Sequence, residues 1–223
     1  MTAEASPAPR KRVAIVISGR GSNMTSLIQA AKAPGYPAEI IGVLSNRPEA
    51  GGLAVAAAEG IPTAVCDHKA FADRAAFDAA LDAQLRAWNA EYVCLAGFMR
   101  LLTADFTERW AGRMINIHPA LLPAFKGLHT HEQALRAGVT LHGCTVHFVT
   151  PGMDEGQALA QAAVPVLPND TPDSLSARVL AAEHALYPAA LAALCTGRVR
   201  LEGGRVVRSD AGEAAPALIW PRY

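Results

Sequence analysis

The chain has 223 residues, 51% of them hydrophobic, and 20 basic residues balance 20 acidic ones. This length is enough to bury the core of one α/β domain. The formal net charge of zero gives no electrostatic reason to expect a nucleic acid or an anionic membrane as partner. No apolar run approaches the roughly 20 residues of a membrane span, so we predict no membrane segment.

The two ends of the chain are unlike the rest. Residues 1–12 carry basic side chains without a long apolar run, which predicts a disordered tail and no signal peptide. Residues 209–223 are rich in Pro and Ala and are predicted to form a loose C-terminal extension, which leaves residues 13–208 as a single domain. The cysteines are scattered along the chain: Cys66, Cys94, Cys144 and Cys195. Without a CxxC motif they favour a reducing cytoplasm over a disulfide or zinc framework.

The first half of the chain alternates between strand and helix patterns. Apolar runs of strand length lie at residues 12–18, 38–46, 63–67 and 91–98. Helical patterns lie between them, from residue 24 to about 33, over 52–60 and over 73–88. Continuous apolar strands separated by helices and short links predict a parallel sheet with helices on both faces.

The second half departs from this alternation. A short helix is predicted over residues 131–138 and a long one over 171–195. Two strands, over 142–150 and 158–166, are joined by the turn PGMDEGQ and predict an antiparallel addition to the sheet. Residues 198–208 predict a hairpin that turns at two adjacent glycines.

The stretch GRGSN, residues 19–23, predicts a glycine-rich turn between the first strand and the first helix. Glycines allow a tight turn whose backbone N–H groups face an anion at the helix N-terminus. The stretch lacks the full GxGxxG fingerprint, and taken alone it fits an ordinary tight turn equally well. Its place in the first strand-to-helix connection of a doubly wound sheet favours a phosphate site.

The stretch NIHP places Asn116 and His118 at the end of a predicted strand that begins at Met114. Side chains two residues apart point to the same face, and α/β sheets bind ligands at the carboxyl ends of their strands. Asn donates hydrogen bonds to carbonyl oxygens, and His is an acid, base or cation near neutral pH. The alternative is structural: backbone carbonyls satisfy His118, and Asn116 caps the loop.

Two other features have both a structural and a functional interpretation, and a third has an ordinary structural one. Asp154 is either a solvated turn residue or a carboxylate that orients His118 and favours its protonated form. The Met99–Arg100 pair is either a turn into a helix or the wall of a pocket for a carboxylated ligand. Glu183, on the long helix, would ordinarily be a surface acid.

Four histidines raise the question of a metal site. They are His129, His131, His142 and His147, of which the first two have HxH spacing. No acidic or cysteine ligand accompanies them, and the surrounding loop is apolar. We therefore predict no metal.

Four stretches together resemble one family. VISGRGSNMTSLI, LAGFMRLL, NIHPALLPAFKGLHTHEQAL and GCTVHFVTPGMDEGQALAQ are similar, in order and spacing, to motifs of the folate-dependent formyltransferases. The resemblance runs from Val13 to Arg208 and points to the members that formylate a phosphoribosyl amine. It implies a Rossmann-like three-layer α/β sandwich, with a mixed, mostly parallel sheet of about seven strands and helices on both faces.

The resemblance also implies roles for individual residues. It assigns catalysis to Asn116, His118 and Asp154. It assigns the phosphate and ribose of phosphoribosylglycinamide to Gly21, Ser22, Asn23 and Glu183. It assigns the folate pocket to Arg74, Met99, Arg100, Leu101, Leu102 and Asn116.

The reaction implied is formyl transfer from 10-formyltetrahydrofolate to the amine of phosphoribosylglycinamide, in de novo purine (IMP) biosynthesis. The amine attacks the formyl carbon directly, while Asn116 and protonated His118 stabilise the tetrahedral oxyanion. Asp154 keeps His118 cationic and assists proton transfer to the leaving N10. No metal, nucleic acid or membrane takes part, and a cytoplasmic monomer or homodimer is expected.

Three other functions share parts of this pattern. A methionyl-tRNA formyltransferase is expected to carry a further C-terminal domain and a basic charge, and a formyltetrahydrofolate hydrolase an N-terminal regulatory domain. A non-catalytic binding module would have no reason to keep the catalytic trio.

Two positions, Arg20 and Gln157, depart from the family pattern. Arg20 either reinforces phosphate binding or faces solvent.

Overall fold

The computed structural model describes residues 9–209 and 220–221, arranged around a seven-stranded sheet. Its strands are β1 (Lys11–Ile17), β2 (Ala38–Ser45), β3 (Thr63–Val65), β4 (Tyr92–Leu95), β5 (Met114–His118), β6 (Leu141–Phe148) and β7 (Ala158–Pro165). Their order in the sheet is β3-β2-β1-β4-β5-β6-β7. The strands β1 to β5 are parallel, and β6 and β7 add antiparallel, which confirms the predicted fold class.

In the described part of the chain, six α-helices flank the sheet. They are α1 (Ser22–Ala31), α2 (Gly51–Ala58), α3 (Arg74–Ala87), α4 (Ala104–Arg109), α5 (Thr130–Ala137) and α6 (Pro172–Cys195). The sequence patterns did not predict α4, because six residues are too few to show a helical period. Within the described ranges, no helix is long and apolar enough to cross a membrane.

A hairpin of β8 (Val199–Glu202) and β9 (Arg205–Arg208) forms a separate two-stranded sheet and turns at Gly203 and Gly204, as predicted. At the other end, β1 begins at Lys11, whose ammonium pairs with the Glu91 carboxylate at 2.7 Å. Two residues assigned to the N-terminal tail are therefore part of the sheet. The rest of that tail up to residue 8, and positions 210–219 and 222–223 of the extension, lie outside the described residues.

Two apolar clusters lie on opposite faces of the sheet. On β1, Val13, Ile15 and Ile17 pack on the face covered by α1 and α6. The alternate residues, Ala14 and Val16, pack on the face that holds α3 and α4. A strand buried on both faces needs apolar residues at every position, which explains the continuous apolar run in its sequence.

The direction of the connections reverses at β1, which has β2 on one side and β4 on the other. In open α/β sheets, the crevice at the carboxyl ends of the strands beside such a reversal is the usual ligand site. The turn after β1 and the loop after β4 both begin at this crevice. The end of β5 lies next to it.

Candidate active site

Strand β5 carries Asn116 and His118 to the carboxyl edge of the sheet. Asn116 pairs with His147 and His118 with Thr145 in the antiparallel ladder to β6. His118 is buried, whereas Asn116 is half-buried. The two side chains that the NIHP stretch predicts to share a face therefore lie at the mouth of the crevice.

Asp154 lies beside His118, with 3.4 Å between its Oδ2 and the imidazole Nδ1. Its backbone has φ +54°, a left-handed conformation that Asp tolerates better than most residues. The Gly127 N–H donates to Oδ2 at 2.9 Å, which fixes the carboxylate. The other imidazole nitrogen, Nε2, lies 2.9 Å from the Phe125 carbonyl oxygen. Because both ring nitrogens face acceptors, only the doubly protonated imidazolium satisfies both.

The turn between β1 and α1 presents backbone donors. Gly21 is the N-cap residue of α1 with φ +74°, a conformation that favours glycine. No side-chain hydrogen bond caps this described helix start, and its first turn contains no acidic residue. The N–H groups of this turn therefore fit an anion such as phosphate. Arg20, one of the two departures from the family pattern, is exposed in the same turn.

Asn23 and Glu183 meet beside that turn although they are 160 positions apart: Asn23 Nδ2 donates to Glu183 Oε2 at 2.8 Å. Glu183 is only 5% exposed, so its interpretation as a surface acid is wrong. Burial raises the pKa of Glu183, and the hydrogen bond from Asn23 acts in the opposite direction. Asn23 Oδ1 has no hydrogen-bond partner among the described residues. The pair therefore offers acceptor oxygens to the hydroxyl groups of a ligand.

The loop after β4 exposes apolar side chains at the crevice. Met99 is 62% exposed and Leu101 is 49% exposed. The Arg100 guanidinium lies 5.4 Å from the centroid of the Phe77 ring. Leu102 is buried in the core, so only its backbone is available to a ligand. Exposed large apolar side chains close together indicate a surface that a ligand covers.

Arg74, the remaining residue assigned to folate, is the exposed first residue of α3. Phe77 follows it by three positions and stacks on Phe98, at the start of the loop, with ring centroids 6.5 Å apart. Residues three apart are neighbours on a helix surface, so Arg74 lies near the loop. Within the described chain, its guanidinium has no hydrogen bond or ion pair, and it is available to an anion.

A buried chain of hydrogen bonds holds the same loop, and the sequence patterns did not predict it. Ser18 Oγ donates to Asn46 Oδ1 at 2.6 Å and accepts from the Met99 N–H at 2.9 Å. The Asn46 carbonyl oxygen lies 2.8 Å from His68 Nδ1, which donates to it. The only signal in the sequence is that Ser18 and Asn46 each directly follow an apolar strand.

Two buried residues of β6 also contact the elements that carry the trio. Thr145 Oγ1 donates to the Ala120 carbonyl at 2.7 Å and accepts from the Leu122 N–H at 3.0 Å. His147 Nε2 lies 3.2 Å from Asn116 Nδ2. The sequence patterns suggested His147 only as a member of the histidine group, and they did not single out Thr145.

The four histidines of that group do not converge. The His129 side chain is exposed and lies 3.5 Å from the Glu132 carboxylate. His131 packs edge-on against His142, with ring centroids 5.3 Å apart. Across residues 9–209 and 220–221, no three His, Cys, Asp or Glu side chains are placed to hold a metal ion.

The sequence matches the family profile described as formyl transferase over residues 11–191. This range includes the crevice and every residue of the candidate site. The chain belongs to the formyl transferase family. The seven-stranded arrangement of β1 to β7 is thus the formyl transferase fold.

Named relatives extend the formyl transferase match. The phosphoribosylglycinamide formyltransferase of Escherichia coli (strain K12) is 42% identical over 189 residues, which cover 85% of this chain and 89% of that protein. The crystal structure of glycinamide ribonucleotide transformylase 1 from Symbiobacterium toebii gives a TM-score of 0.89 at 42% identity. The match covers 94% of this chain and 100% of that chain.

A further relative is much longer. The trifunctional purine biosynthetic protein adenosine-3 of Bos taurus is 51% identical over 200 residues, or 89% of this chain. The chain spans only 20% of the length of that protein.

Proposed function

We propose that this chain, as one domain from β1 to residue 208, transfers the formyl group of 10-formyltetrahydrofolate to the amine of phosphoribosylglycinamide in de novo purine biosynthesis. The observation that carries the proposal is the meeting of Asn116, His118 and Asp154 between a turn suited to phosphate and an exposed apolar loop. Two relatives that the chain covers almost completely are named for this activity.

Formyl transfer needs donors at the carbonyl oxygen. As the amine attacks the formyl carbon, a C–N bond forms and the oxygen becomes negatively charged. The Asn116 amide and the imidazolium of His118 are the donors for this oxyanion. A preorganised donor of this kind typically contributes about 10²–10³ in rate. The tetrahedral intermediate then collapses, which breaks the bond between the formyl carbon and N10.

The reaction also moves a proton. The attacking amine loses a proton and N10 gains one, so the transfer is balanced without an outside acid or base. Asp154, 3.4 Å from His118 Nδ1, compensates the imidazolium charge and assists this proton transfer. This donor set supplies both charge and proton transfer, so the proposed mechanism requires no metal.

Phosphoribosylglycinamide binds at its other end. Its phosphate lies on the backbone donors of Gly21, Ser22 and Asn23, and its ribose hydroxyls donate to Glu183. These contacts are remote from the amine. Their binding energy therefore orients the amine toward the formyl carbon.

The folate lies on the loop after β4. Its ring systems cover Met99 and Leu101, and the backbone of Leu102 completes the wall. Arg74 and Arg100 bind its carboxylates, because guanidinium groups match carboxylates in geometry and charge. Support comes from the exposed position of Arg74 and from the position of Arg100 at this loop, over the Phe77 ring. Asn116 contacts the formyl group at the inner end of this pocket.

We further infer a cytoplasmic protein, a monomer or homodimer, that acts on small molecules without a nucleic acid or membrane partner. Support comes from the zero formal net charge and from the four cysteines, which are buried free thiols. Sedimentation equilibrium measures the oligomeric state, and a higher oligomer would contradict this inference.

The test is a spectrophotometric assay of a 10-formylfolate donor with and without phosphoribosylglycinamide. Release of deformylated folate only when the ribonucleotide is present is expected. Release without it would make the protein a hydrolase, and tight folate binding without release would make it a binding module. A chelator should leave the rate unchanged; a loss that added metal restores would contradict the metal-free mechanism.

A further inference from the structure

His147 lies directly opposite Asn116 in the ladder between β5 and β6. The pairing of β6 with β7 is irregular between Val146 and His147. His147 is 3% exposed, so its two ring nitrogens must find partners inside the protein. Those partners decide which nitrogen carries the hydrogen.

A backbone carbonyl determines whether Nδ1 carries a hydrogen. His147 Nδ1 lies 2.9 Å from the Phe148 carbonyl oxygen. A carbonyl oxygen only accepts hydrogen bonds, so Nδ1 carries the hydrogen. In neutral His147 the other nitrogen, Nε2, then has a lone pair and acts as an acceptor.

The neutral form is the one that this site favours. Burial lowers the pKa of His147, while the Phe148 carbonyl and the Asp154 carboxylate act in the opposite direction. The charged groups that face the ring are Asp154, at 3.7 Å from Nε2, and His118. Protonated His118 repels a second positive charge and thereby favours neutral His147.

The lone pair on Nε2 determines how the Asn116 amide is oriented. The amide lies 3.2 Å away, and only its NH₂ group, not Oδ1, can satisfy an acceptor. This assignment follows from the Phe148 carbonyl and does not depend on distinguishing amide oxygen from nitrogen by shape. One N–H of Asn116 points to His147, and the second N–H remains available.

We propose that His147 is a positioning residue for formyl transfer: as a neutral acceptor, it holds the Asn116 amide with its NH₂ group toward the developing oxyanion. Without it the amide is free to turn, which places Oδ1 where the donor should be. The site then loses a donor and gains a repulsive oxygen. This inference rests on the proposed function.

The test compares kcat and KM for His147→Ala, Asn116→Ala and the double variant. His147→Ala should lower kcat by about tenfold or more, up to the 10²–10³ of a lost donor, with both KM values nearly unchanged. In the Asn116→Ala background the same change should have little further effect, because there is no amide left to orient. His147→Gln, which places an amide oxygen near the position of Nε2, should restore part of kcat.

A matched control is His142→Ala, which removes another buried histidine of β6 that does not contact Asn116. Its effect on kcat should be the same in both backgrounds. An unchanged kcat in His147→Ala, or an equal fall in both backgrounds, would overturn the proposal. If the wild-type protein transfers no formyl group, the proposed function fails instead. The ¹⁵N resonances of His147 then test the tautomer separately: a hydrogen on Nε2 would overturn the orientation argument.

Discussion

The orientation of the His118 ring is determined by two acceptors, one beside each ring nitrogen. The Asp154 carboxylate faces Nδ1, and the Phe125 carbonyl oxygen faces Nε2. Before substrate binds, the Phe125 carbonyl oxygen accepts a hydrogen bond from the N–H at Nε2. A formyl oxygen that replaces Phe125 as acceptor would receive a donor that is already charged and oriented, which is the condition for electrostatic stabilisation of an oxyanion.

The change His118→Ala should therefore lower kcat by about 10²–10³-fold. Binding of the ribonucleotide should persist, because its phosphate lies on the turn before α1. Steady-state kinetics measures the first quantity and isothermal titration calorimetry the second. His129→Ala, which removes an exposed histidine, is the control and should keep the wild-type rate. Unimpaired turnover in His118→Ala would exclude the proposed role.

His142 leads to a prediction about how stability depends on pH. Burial and then the neighbouring His131 lower the pKa of His142 to about 4. Since the pKa of unfolded His is about 6.5, the unfolded chain binds the proton more tightly than the folded chain does. The stability that neutral His142 provides is therefore present above pH 6.5 and is lost as the pH falls toward 4. Between pH 7.5 and 5, the titration of His142 alone should lower the free energy of unfolding by about 2 kcal/mol.

Urea unfolding at these two pH values measures this loss. His142→Phe keeps a ring at the site and should reduce the difference between the two pH values by about 2 kcal/mol. His129→Ala should keep the full difference, because that side chain is exposed in the folded state. An unchanged pH dependence in His142→Phe would show that His142 is not the group that titrates.

Among the elements, the loop after β4 is fixed by buried side chains that follow two neighbouring strands. Ser18 and Asn46 follow β1 and β2, and together they fix the Met99 N–H. The exposed apolar side chains of this loop cannot hold it against the sheet, so buried polar groups do so. Such a chain is fully satisfied only when each member is present.

Asn46→Ala should therefore raise the KM for 10-formyltetrahydrofolate about fivefold, as expected for the loss of one hydrogen bond. The KM for the ribonucleotide should stay nearly unchanged. Steady-state kinetics with each substrate varied in turn measures both constants. Ser45→Ala is the control, since Ser45 is buried next to Asn46 but accepts from the Arg47 N–H instead. An equal rise in both KM values would mean that Asn46 supports the fold and not the folate loop.

At the scale of the whole molecule, the long helix α6 is tied to the centre of the sheet. The Tyr187 hydroxyl lies 2.9 Å from the Leu95 carbonyl oxygen and 3.1 Å from that of Ile115. It therefore joins the helix layer to β4 and β5 at once. Tyr187 is fully buried, so no water can replace its hydroxyl.

Tyr187→Phe should lower the free energy of unfolding by about 1–3 kcal/mol, with little change in kcat for the folded protein. Urea denaturation measures the loss. Tyr36→Phe is the control, because its hydroxyl donates to the Pro188 carbonyl at 2.8 Å from a partly exposed position. Its loss should be smaller, and an equal loss in both variants would contradict the argument from burial.

Most elements, and the position of Asn116 and His118, follow from the sequence alone. Continuous apolar runs and helical spacing predicted β1 to β7, the antiparallel join of β6 and β7, and the long helix α6. They also placed Asn116 and His118 on one face at the end of β5. These features depend on the period of side chains along a single element, which a local stretch of sequence contains in full.

Which distant residues meet, and which of them are buried, depends on how the elements pack in three dimensions. Asp154 reaches His118 across 36 positions because a turn after β6 folds back over the edge of the sheet. Glu183 is buried on Asn23 because α6 packs against α1. The orientation of Asn116 by His147 depends on strand register. A turn, helix packing and strand register fix these three contacts, and no local period of the sequence encodes any of them.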